Sequence, residues 1–99
     1  MKRVNYIFVN ETGSENAARK LQNSHVSELR QCVVVNGTGL SVSAGEQHKA
    51  LLCKLCRLRR HYPNAQILGV SEVDPTSAHA PIRVSEAMNA LRREMSDLP

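Results

Sequence analysis

The stretch Val4-Asn5-Tyr6-Ile7-Phe8-Val9 is apolar or aromatic at nearly every position, not at every second one. A strand with one wet face alternates; an unbroken apolar run needs cover on both faces. A chain that opens this way is therefore pushed toward a layered architecture, with helices above and below a sheet. Two later runs fit the same sheet. Cys32-Val33-Val34-Val35 is β-branched and ends at Asn36-Gly37, a turn pair, and Gln66-Ile67-Leu68-Gly69-Val70 follows a Pro63 break.

Helical patterns lie between these runs. Ser14 follows the break Glu11-Thr12-Gly13 and can cap a short helix through Ala17, Ala18 and Leu21. The clearest helix is predicted from about Ala44 to His61. Ser43-Ala44-Gly45-Glu46 has capping-box spacing, and Leu51, Leu55, Leu58 and Tyr62 share one face. Pro63 ends it, having no N–H to donate. Val84, Met88, Leu91 and Met95 make the stripe of a last helix. Asp74-Pro75-Thr76-Ser77 reads as loop, and Asn23 to Gln31 is ambiguous, with room for a fourth strand. The expected order is strand, helix, strand, helix, strand, helix: an α/β domain with a small central sheet flanked by helices, spanning residues 1–99 as one unit.

At 99 residues such a domain has little stability in reserve, and with Tyr6, Phe8 and Tyr62 its only aromatics, aliphatic side chains must fill the core. A net charge of +4 favours acidic partners without choosing among nucleic acid, anionic lipid and anionic polymer. No apolar run approaches the roughly 20 residues of a membrane span, so no membrane partner is expected. Met1-Lys2-Arg3 opens like a secretory signal, but the apolar run behind it is short and no small-residue cleavage pattern closes it. Three cysteines fit a reducing compartment, and the expected location is cytoplasmic.

Lys49, Arg57 and Arg60 fall on the helix face opposite the leucines. They could meet phosphates. The segment lacks interleaved aromatics for base stacking, so a solvated basic face is the favoured reading and nucleic acid the less favoured partner. Cys53 and Cys56 form a lone C-x-x-C in mid-helix, read as small hydrophobes flanking the apolar face. A redox motif of this kind belongs at a helix start, where the dipole lowers the thiol pKa.

The second half of the chain resembles a family. Gln47, Ala50-Leu51-Leu52, Leu55, Leu58, Arg60-His61-Tyr62-Pro63, then Ile67-Leu68-Gly69-Val70-Ser71-Glu72 and Ala80-Pro81 follow the order and spacing of the zinc-dependent N-acetylmuramoyl-L-alanine amidases. That fold is shared by phage-type lysozyme amidases and peptidoglycan recognition proteins. The first strand, Ile7-Phe8-Val9-Asn10, matches more weakly, and the domain looks shortened in its middle. The resemblance implies a peptidoglycan-directed domain in which two His and one Cys or Asp hold zinc, and the metal activates water.

Carried across, those ligand positions fall on Asn10, Val70 and Ala80, or on Ala78 for the last if no gap is allowed. Asn is a poor zinc ligand, and Val and Ala have no donor atom. The family's catalytic position falls near Thr76. The resemblance thus implies no metal cofactor and a non-catalytic, amidase-like domain. It would bind a peptidoglycan fragment around Asn10, Thr76 and His79, or a protein partner. One alternative is an active amidase with an atypical site, zinc being rebuilt on Cys53, Cys56 and His79. The other is a small basic module for nucleic acid or protein. An exposed edge of a short sheet would also suit a homodimer.

Overall fold

In the computed structural model, which describes residues 3–37, 40, 45–77 and 81–98, the first apolar run becomes the central strand β1 (Tyr6–Asn10). Ile7, Phe8 and Val9 are each fully buried, as a strand covered on both faces requires. After β1 come α1 (Glu15–Gln22), the single turn α2 (Ser27–Arg30) and β2 (Cys32–Asn36). Then follow α3 (Glu46–His61), β3 (Gln66–Gly69), a 3₁₀ turn at Val70–Glu72 and α4 (Glu86–Ser96). The sheet order is β2-β1-β3, and both pairings are parallel. Phe8 lies level with Val34 on one side and Leu68 on the other. This is the α/β architecture expected from the alternation of apolar strands and amphipathic helices.

Side chains alternate across β1 and so build two cores. Ile7 and Val9 join Val35 with Leu51 and Leu55 of α3 and Met88, Leu91 and Met95 of α4. Phe8 faces the other way, into Leu21 of α1, Leu29 of α2, Leu68, Val70 and Val73. Helices thus cover both faces of the sheet.

Several local expectations change. The segment Asn23 to Gln31 supplies the short helix α2, not a fourth strand. Val84 is not part of the α4 stripe: it is 68% exposed and precedes the N-cap Ser85, whose hydroxyl accepts the Met88 N–H at 3.3 Å. Cys53 is exposed and does not flank the core, whereas Cys56 is half-buried and packs against it. The start of α3 is capped by Gly45 without a side-chain bond, and the expected cap Ser43 lies outside the described residues. The Ser14 cap is present, with its hydroxyl accepting the Ala17 N–H at 3.4 Å. Among the described residues, no helix is long and apolar enough to cross a membrane.

Candidate functional site

In an open parallel sheet, ligands gather at the C-terminal ends of strands, where the strand order reverses. Here that place lies between β1 and β3. Asn10 closes β1, and its side chain is committed locally. Its amide nitrogen donates to the Ser14 carbonyl at 3.1 Å, and its amide oxygen accepts the Thr12 hydroxyl at 3.3 Å. Gly13, at φ 70°, lets the chain turn back into α1. Val70, the other described position of the expected ligand set, is 5% exposed and packed in the Phe8 core. The donor set at these two positions does not fit a zinc ion. Ala78, Ala80 and His79 lie outside the described residues. Among the described residues, no three of His, Cys, Asp and Glu are gathered so as to hold a metal.

Carboxylates occupy this edge instead. Glu11 crosses from the end of β1 to the 3₁₀ turn, accepting the Ser71 N–H at 3.0 Å and the Ser71 hydroxyl at 2.7 Å. Its carboxylate lies over Gly69, where a Cβ would overlap it. Glu72, fully buried, accepts N–H bonds from Gly69 at 2.8 Å and Ser85 at 3.2 Å. Arg92 of α4 grips its two oxygens at 2.8 and 2.9 Å and also reaches Asn89 and the Ile67 carbonyl. Burial pushes the Glu72 carboxyl up, but the Arg92 hydrogen bonds, the two N–H donors and the Arg92 charge together hold it below its ordinary value. Arg92 is held above its ordinary value, first by hydrogen bonding to Glu72 and then, against burial, by the charges of Glu72 and Glu11. Glu11, Glu72 and Arg92 did not stand out as site residues in the sequence. The one available clue was an acid, Glu72, set between the aliphatic Val70 and Val73.

Thr76 lies elsewhere, on a groove of about 610 Å³ between α1 and the loop at Pro75. Asn16, Arg19, Lys20, Asn23 and His25 line it with Thr76, and Asn10 does not. The groove is held in shape by Ser24, which is buried: its hydroxyl donates to the Pro75 carbonyl and accepts the Val26 N–H at 3.1 Å. The Asp74 carboxylate takes both the N–H and the hydroxyl proton of Thr76, at 2.8 and 2.7 Å. These bonds, the backbone one first, draw the Asp74 carboxyl below its ordinary value. With its proton committed, the Thr76 oxygen can only accept from a ligand. Arg19 meets Glu15 at 3.7 Å with both side chains largely exposed, a weak pair that leaves the guanidinium available.

Lys49, Arg57 and Arg60 are exposed on the outer side of α3, and Cys53 and Cys56 lie among them along a second groove. Compared with known protein families, curated proteins and solved structures, the chain has no significant match.

Proposed function

We propose that this chain is a non-catalytic binding domain whose α1 groove takes a short acidic peptide. The sequence resemblance to the amidases would make a peptidoglycan stem peptide the natural ligand. One observation carries the reading: the groove sets two cations, Arg19 and Lys20, beside amides and an acceptor-only hydroxyl. Carboxylates would pair with Arg19 and Lys20. The Asn16 and Asn23 side chains can both donate and accept, as a peptide bond does, and the Thr76 oxygen suits a peptide N–H. A stem peptide offers just these groups: free carboxylates joined by amides. Arg19 and Lys20 also stand in the last turn of α1, where they offset its dipole.

Hydrolysis is the weaker reading. The metal-bearing role that the resemblance would give Asn10 and Val70 meets an amide already bonded at both ends and a buried hydrocarbon. The test is titration with soluble muropeptides bearing free carboxylates, followed by calorimetry. Saturable binding that weakens about tenfold in Arg19→Glu/Lys20→Glu is the expected outcome. Absence of saturation with every stem-peptide type, or binding indifferent to the charge reversal, would overturn the reading. Release of free stem peptide would restore the hydrolase.

A further inference from the structure

The outer face of α3 carries a groove that the peptide site does not use. Lys49, Leu52, Cys53, Cys56, Arg57 and Arg60 recur at helical spacing and form one stripe along α3, with Leu52 and Cys56 at the margin of the core and the cations and Cys53 exposed. Leu98, 41% exposed, closes the side of a groove of about 550 Å³. From Lys49 to Arg60 the stripe runs about 16 Å, some three helical turns. Its floor is apolar and its rim cationic. Glu46 is the one acid in α3, and among the described residues no acidic side chain pairs with Lys49, Arg57 or Arg60.

We infer that this groove docks an acidic amphipathic helix of a partner protein. Apolar anchors at successive turns would lie on Leu52, Cys56 and Leu98, and acids flanking them would meet Lys49, Arg57 and Arg60. Charge complementarity decides the occupant. A second copy of this chain would set the same cations against one another across a two-fold axis. Nucleic acid would find phosphate partners at the rim but no aromatic platform, and it would gain nothing from the leucine and cysteine floor. The α3 groove is on the opposite face of the sheet from the α1 groove, so the two can be filled together. The chain would then join an acidic peptide ligand to a helical partner.

The probe is a fluorescein-labelled peptide of about 16 residues, with leucines at helical spacing and Glu or Asp between them. A scramble of equal composition and a DNA duplex serve as comparisons, all read by fluorescence anisotropy. Saturable binding about tenfold tighter than the scramble, lost by a similar factor in Arg57→Glu/Arg60→Glu, is expected. A copy of the probe with one leucine replaced by cysteine should form a mixed disulfide with the groove thiols Cys53 and Cys56 under mild oxidation, in lower yield in Cys53→Ser, and the scramble should not. Both arginines and Cys53 are exposed, so these variants keep the fold. Equal binding of the scramble, tighter binding of DNA, or indifference to the charge reversal would overturn the proposal. Arg19→Glu/Lys20→Glu should leave the probe's affinity unchanged, which separates this surface from the peptide groove.

Discussion

Arg92 binds both oxygens of Glu72, at 2.8 and 2.9 Å, and that carboxylate has no exposed surface. The pair ties α4 to the end of β3, since Glu72 also accepts the Gly69 N–H and Arg92 also reaches the Ile67 carbonyl. The contact is thus the polar counterpart of the leucine and methionine packing that seats α4 on the sheet.

Removing Arg92 leaves a buried carboxylate with two N–H donors and no counter-charge. Arg92→Met is expected to cost about 3 kcal/mol, the range found when one partner of a buried pair is lost. Adding Glu72→Gln should recover part of that, because no charge remains buried and the amide oxygen still accepts one of the two N–H bonds, from Gly69 or from Ser85. Urea denaturation of the single and double variants measures both numbers. A double variant no more stable than Arg92→Met would show that the stranded charge is not the cause.

The same pair sets an acid limit. The Glu72 carboxyl titrates below its ordinary 4.5 in the folded chain and near that value when unfolded. Its contribution is therefore full above the unfolded value and is lost as pH falls through the lower, folded one. Stability should decline from about pH 4.5 downward. Glu72→Gln should be less stable at neutral pH but should show a shallower acid limb. Thermal unfolding from pH 7 to pH 3 tests this.

The strands were legible because each is a short run of β-branched or aromatic residues, and burial on both faces leaves such runs few alternatives. The Ser14 cap was legible because capping is local. What the sequence concealed was long-range or depended on one intervening residue. Glu11 and Ser71 are sixty positions apart, and nothing in either neighbourhood announces the other. Val84 has the spacing of the α4 stripe, but Ser85 caps the helix after it, so the chain has not yet begun to coil. Cys53 looked like a core flank because its residue type is commonly buried; its place on the outer side of α3 leaves it exposed. Nothing in the sequence set Arg19 and Lys20 apart. They became a groove through Ser24, whose hydroxyl joins the end of α1 to Pro75, fifty-one residues away.

Leu91 and Val84 give a sharp contrast. Leu91 is 1% exposed in the core with Ile7 and Leu55, and Leu91→Ala should cost about 2–5 kcal/mol. Val84→Ala, at an exposed site before the helix, should stay within about 0.5 kcal/mol of the parent. Similar losses at the two positions in chemical denaturation would contradict the boundary of α4.

Gly69 leaves the space that the Glu11 carboxylate fills. A Cβ at position 69 would overlap the Glu11 carboxylate, which is held in place by the Ser71 N–H and hydroxyl. The backbone at Gly69, with φ −77° and ψ 146°, is one any residue adopts, so the requirement is for space and not for conformational freedom. Gly69→Ala should therefore cost about 1–3 kcal/mol through overpacking. Glu11→Ala should cost less, since Ser71 is only part-buried and water can replace its acceptor. The two changes should not add. With the carboxylate gone, the alanine methyl has room, and the double variant should be more stable than the sum of the singles by about 1 kcal/mol or more. Simple additivity in that double-mutant cycle would mean that the penalty at Gly69 arises from some neighbour other than Glu11. The carboxylate bridge across the end of the sheet would then not be what position 69 accommodates.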